Sequence, residues 1–160
     1  MTPDLEPLLG GDELGDVDAR LRAAVEPHRI VLGWATVELD RAQDEVGTAL
    51  SGQGVPGAPV PEPAPDDEIL GARCRLLRHA LGDAEAAVLL EPLTEGRLAA
   101  ALARRGEGGI ARYLRVGSDA PDRAVRAGFS LSLPGGGPLG AQRLVLGGPR
   151  WGPFLLLVPE

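Results

Sequence analysis

The stretch Leu89-Leu90-Glu91-Pro92-Leu93-Thr94-Glu95-Gly96-Arg97-Leu98-Ala99-Ala100-Ala101-Leu102-Ala103-Arg104-Arg105-Gly106-Glu107-Gly108 holds the turning point of the chain. It opens inside an apolar run, Ala86–Glu91, that reads as a strand. Pro92 cannot donate to a ladder, and with Thr94 it leads into a helix over Glu95–Arg105. Leu98, Ala101 and Leu102 fall on the inward side of that helix, and Gly106 stops it. A second β-rich run, Gly109–Val116, follows at once. The stretch therefore reads as a bridging helix between the last strand of one unit and the first strand of the next.

Upstream, Asp16 can cap a short helix over Val17–Val25, with Val17, Leu21, Ala24 and Val25 on one face and Pro27 at its end. Ile30–Val37 is a strand with apolar or small residues on both faces, and Leu39–Leu50 has helical spacing through Leu39, Ala42, Val46 and Ala49. Residues 51–67 are rich in proline, which forbids regular pairing and predicts a loop or an irregular edge strand around Val60. Gly71–Arg78 and Ala86–Glu91 are strands joined around Gly82-Asp83. Downstream, Gly109–Val116 is followed by a short helix over Ala120–Ala127 with Pro121 in its first turn, and by strands at Phe129–Leu133, Ala141–Leu146 and Pro153–Val158. Pro134-Gly135-Gly136-Gly137-Pro138 is a loop; it lacks the Lys or Ser/Thr partner of a phosphate cradle. The element order β-α-β-β-β, helix, β-α-β-β-β is an internal repeat of structure rather than of letters.

Composition bounds the function. The 160 residues suit one domain, and 44% hydrophobic with 24% charged residues suits a folded one. Only 3% are aromatic, so Leu, Val and Ala must build the core. A net charge of -7 argues against nucleic acid or an anionic membrane as the main partner. All 16 basic residues are arginine. The single cysteine, Cys74, excludes an internal disulfide and reads as a small buried strand residue. Met1–Asp18 is acidic, with neither a basic n-region nor a long apolar run, so no signal peptide is expected. No apolar run approaches the ~20 residues of a membrane helix, and the cytoplasm is the expected location.

Leu89-Leu90-Glu91-Pro92-Leu93 and Arg104-Arg105-Gly106-Glu107-Gly108, together with Leu32 to Ala42 at the start and Gly152 to Val158 at the end, resemble the methylmalonyl-CoA epimerase branch of the vicinal-oxygen-chelate (glyoxalase and bleomycin resistance protein-like) superfamily over about residues 28–160. The resemblance implies an α+β fold in which two βαβββ modules form a cupped mixed sheet. It divides the chain into an acidic tail and short helix (1–26) and a glyoxalase-like domain (27–160), with modules at 27–93 and 106–160 and the bridging helix at 95–105.

The resemblance also implies a divalent metal at the mouth of the cup, acting as a Lewis acid and held by His, Gln or Glu from four strands. Here the corresponding positions fall on Val31, Val88, Ala111 (Ile110 if the register slips by one) and Leu156, none of which can bind an ion. The two histidines, His28 and His79, sit at strand ends and suit surface roles. No metal or other cofactor is therefore expected. Alternation along the strands adds Gly33, Ala35, Leu90, Tyr113, Arg115 and Phe154 to the cup lining, alongside Ala86 and Val158. Such a lining suits a hydrophobic small molecule whose polar end meets Arg115 or Tyr113, or else these side chains fill the cup themselves. Three functions stay open: a metal-free small-molecule-binding protein, which is more expected than an enzyme; an epimerase, isomerase or lyase with a rebuilt site using Glu107, Glu91 or Tyr113; and a structural, homodimerising module with a self-filled cup.

Overall fold

The computed structural model describes residues 15–52, 57–82, 84–93 and 95–160, so the expectations for the acidic tail, for 53–56 and for Asp83 and Thr94 lie outside the described residues. The elements are α1 (Gly15–Val25), β1 (Arg29–Ala35), α2 (Leu39–Ser51), β2 (Val60–Asp67), β3 (Ala72–Arg78), β4 (Glu85–Pro92), α3 (Arg97–Arg105), β5 (Gly108–Val116), α4 (Ala120–Arg126), β6 (Arg143–Leu144) and β7 (Phe154–Pro159). The strands form one sheet in the order β2-β3-β4-β1-β5-β7-β6. β1 and β5 pair antiparallel at its centre, and each is flanked by a parallel partner, β4 or β7. The two halves of the sheet thus meet at β1 and β5, with β4-β3-β2 on one side and β7-β6 on the other.

Of the two alternatives for the proline-rich segment, residues 60–67 form the irregular edge strand, with a register shift between Ala64 and Asp67, because an edge needs donors on one side only and tolerates Pro61, Pro63 and Pro65. One expectation changes. The strand expected at Phe129–Leu133 is reduced to an isolated bridge from Leu131 to Val145, and its partner shrinks to Arg143–Leu144. The cause is local: the Ser132 hydroxyl accepts the Leu144 N–H in place of a main-chain carbonyl, and Pro134 has no N–H to donate.

Strand alternation divides the core. On the convex side Trp34, Leu77, Ala87 and Leu89 pack under α2, and Leu114, Leu155 and Leu157 pack under α1 and α4. Leu21 and Val25 of α1 are fully buried there, and Asp18 pairs with Arg112 at 3.1 Å, so the helix joins the folded body. On the concave side the largest cluster includes Val31, Ala35, Val88, Leu90, Tyr113 and Leu156, with Leu98 and Ala101 of α3 laid against it.

The tightest point of the seam is Gly33. A Cβ there would lie 2.9 Å from the Ala111 Cβ and 3.0 Å from the Tyr113 ring, closer than packed side chains tolerate. Gly33→Ala should therefore destabilise the protein by about 1–3 kcal/mol through overpacking. Urea unfolding of the variant measures the loss, and an unchanged midpoint would mean that the cup has room.

Candidate functional site

Nine of the ten predicted cup residues share the concave face. Val31, Ala35, Val88, Leu90, Ala111, Tyr113, Phe154 and Leu156 belong to one buried cluster. Gly33 faces the same way, since its missing Cβ points at Ala111, Tyr113 and Leu90. The register brings them side by side: Gly33 lies between Val88 and Ala111, and Tyr113 between Val31 and Leu156. The one-residue ambiguity at Ala111 does not change the face. A register shift between Gly33 and Trp34 in the β1–β5 pairing leaves Ile110 unpaired, and both Ile110 and Ala111 join the concave cluster.

Arg115 has a different setting. It sits at the far end of β5, paired with Glu85 and, at 2.6 Å, with Glu160. Of the two further cup candidates, Val158 joins the concave cluster, whereas Ala86 packs against the convex one under α2.

What crosses the cup is a buried polar bridge that the sequence reading did not foresee. Asp67, the last residue of edge strand β2, is fully buried. One of its carboxylate oxygens accepts the Tyr113 hydroxyl at 2.7 Å. The other accepts Gln142 Nε2 at 2.8 Å and the N–H groups of Ile69 and Leu70 at 3.1 and 2.8 Å. Gln142 precedes β6, the opposite edge of the sheet. The sheet is therefore curled far enough for one carboxylate to join its two edges through its centre. Four donors use the acceptor capacity of a carboxylate, which makes the buried group affordable.

The glycine tract serves this closure. The Glu68 N–H donates to the Gly136 carbonyl at 3.0 Å, and the Gly136 N–H returns to the Glu68 carboxylate at 2.8 Å. A Cβ on Gly137 would fall 2.3 Å from Gln142 Oε1, so only glycine lets the amide seat beneath the loop. With Leu98 and Ala101, and with Leu70, Leu139 and Trp151 around them, the concave face is covered by the chain's own residues.

The ionisable groups fit that closed setting. Burial foremost, and then the charge of Asp67, pushes the Tyr113 hydroxyl well above its ordinary 10.0. Burial pushes the Cys74 thiol up to about 12, so at neutral pH it is a protonated, unreactive group. Glu107 accepts Arg41 Nη2 at 2.6 Å, the Val37 N–H at 2.8 Å and the Thr36 hydroxyl at 3.0 Å. The Arg41 guanidinium first, and then the Val37 N–H, hold its carboxyl at about 2 instead of 4.5. A carboxylate held there is a poor general base. Glu91 is paired with Arg73 and takes the Leu39 N–H at 3.3 Å.

Among the described residues no group of three or more His, Cys, Asp or Glu side chains could hold a metal ion. His28 is half exposed and lies 3.0 Å from Glu160, and the His79 N–H donates to the Ala84 carbonyl at 3.0 Å, both at strand ends. No helix among the described residues is long and apolar enough to cross a membrane.

No protein-family model matches the sequence, and no curated protein does. Solved structures do match. Methylmalonyl-CoA epimerase from Mycobacterium tuberculosis superposes with a TM-score of 0.65 at 22% identity, over 86% of this chain and 90% of that one. A hypothetical protein from Bacillus halodurans gives 0.62 at 17% identity, over 82% and 94%. A Streptomyces coelicolor methylmalonyl-CoA epimerase variant in complex with 2-nitronate-propionyl-CoA gives 0.59 at 22% identity, over 84% and 98%. The fold is thus the glyoxalase-like, vicinal-oxygen-chelate fold, in the form shared with methylmalonyl-CoA epimerases.

The Glu107 contacts generate a pH prediction. A carboxyl whose folded value is depressed contributes stability that is complete above about 4.5 and is lost as the pH falls toward about 2. Glu107→Gln should therefore lower stability at neutral pH, with the gap to the native chain narrowing through that acid window. Urea midpoints collected across the window measure it, and a gap that does not vary with pH would refute the assigned contacts.

Proposed function

We propose that this chain is a metal-independent glyoxalase-like protein that binds a small molecule without turning it over. The reading is carried by four cup positions, Val31, Val88, Ala111 and Leu156, which the sequence resemblance matches to metal ligands and which present only carbon and are buried. A divalent ion requires oxygen, nitrogen or sulfur donors, so these residues do not fit one. The groups left for metal-free acid–base work are equally committed: Glu107 to Arg41, Glu91 to Arg73, and Tyr113 to Asp67.

The nine concave residues then shape and support the concavity while Arg115 ties off the end of β5, and a ligand entering the cup would have to part the Asp67 bridge first. A ligand is more readily met at the rim, where the second module leaves an open groove. The reading has the protein acting in the cytoplasm, as a homodimer.

The test uses the substrate named for the structural neighbours. Purified protein, with and without added Co2+, is incubated with methylmalonyl-CoA in deuterated water, and deuterium uptake at the acidic carbon is followed. The expected result is uptake no faster than in buffer, together with substoichiometric divalent metal in the purified protein. Metal-dependent uptake would overturn the reading in favour of an epimerase.

A further inference from the structure

Most arginines of this acidic chain are spoken for. Arg22, Arg29, Arg41, Arg73, Arg75, Arg112, Arg115 and Arg123 pair with carboxylates among the described residues. Arg105 donates to the Gly152 carbonyl and Arg143 to the Ser132 carbonyl. Arg20, Arg97 and Arg150 have no carboxylate partner among the described residues, and all three line one groove of about 640 Å³. Two more, Arg104 on the Trp151 ring and Arg126 at the end of α4, also lack a carboxylate partner among the described residues and lie outside the groove. The three in the groove come from separate parts of the chain, on α1, on α3 and before β7, and converge on one concavity.

The groove also offers apolar surface. Phe129 lies under the Arg20 guanidinium, 5.3 Å from its ring centre, and Arg150 lies 5.1 Å from the Trp151 ring. Leu146 is 40% exposed in the same wall, and Phe154 lies deeper in it. A guanidinium resting on an aromatic face keeps its N–H edge free for an acidic group. The volume lies within the range of small-molecule sites, roughly 300–1,000 Å³.

We propose that this groove is the ligand site of the protein and that it takes amphipathic organic anions: an aromatic or otherwise apolar body bearing a sulfonate, phosphate or carboxylate. The apolar body covers Leu146 and Phe129, and the acidic group enters the guanidinium rim, where charge-assisted, forked hydrogen bonds are available. The proposal rests on the reading of the chain as a small-molecule binder and names the class of ligand.

Three fluorescent or calorimetric probes test it on the full chain: anilinonaphthalene sulfonate, which has both features; N-phenylnaphthylamine, which lacks the acid; and inorganic pyrophosphate, which lacks the apolar body. The sulfonate should bind saturably, the neutral analogue much more weakly, and pyrophosphate should compete. Arg97→Ala and Arg150→Ala should each weaken the sulfonate about tenfold. Arg126→Ala removes an equally unpaired charge that does not line the groove and should leave binding unchanged. Rising salt should weaken binding to the native chain, a readout that needs no variant. Equal binding of the neutral and anionic dyes, or equal losses in Arg97→Ala and Arg126→Ala, would overturn the assignment. Such results would remove the groove alone, whereas metal-dependent deuterium uptake would fall on the binder reading beneath it.

Discussion

The closed cup depends on a single buried carboxylate. Asp67 reaches from one edge strand to the Tyr113 hydroxyl at the centre of the sheet and to the Gln142 amide at the other edge. A cupped sheet must do something with its two edges, and here a polar bridge gathers them over the concave face. Because an unpaired buried polar group costs about 1–3 kcal/mol, each member of the bridge constrains the others to stay in place. The Asp67 turn, the glycine loop at 135–137 and the approach of β1 to β5 at Gly33 are all arranged around that geometry.

The same bridge fills the concave face of the sheet. The concave face is built from a buried apolar cluster, and its centre is a tyrosine already donating to a buried acid. Glu107 and Glu91 both make structural contacts. Glu107 ties the loop after β1 to the turn that opens β5, and Glu91 caps the first turn of α2. Outside the cup, a groove bordered by β7 gathers Arg20, Arg97 and Arg150.

Much of this was legible in the sequence. The strand, helix and strand around Leu89–Gly108 and the bilateral repeat follow from periodicity, with proline and glycine marking the ends. The concave set was legible because alternation holds through β1, β7 and most of β4 and β5, with Ala86 the exception and the bulge placing Ile110 beside Ala111 on the same face. Two things were not. The Phe129–Leu133 run has the composition of a strand, but a serine hydroxyl and a proline divert its pairing, and that depends on where Leu144 lies. The bridge joins positions 67, 113 and 142, and the groove joins 20, 97 and 150; neither has a local spacing to betray it. Such contacts exist only once the sheet has curled.

Tyr113 is the only tyrosine in the chain, so its ionisation reports on the cup without interference. Ultraviolet titration of the phenolate on native protein, with circular dichroism followed in parallel, tests the closure most directly. A hydroxyl buried against Asp67 should show no phenolate until the fold itself is lost at high pH. Reversible ionisation near 10.0, with the native spectrum retained, would mean that the cup is open to solvent.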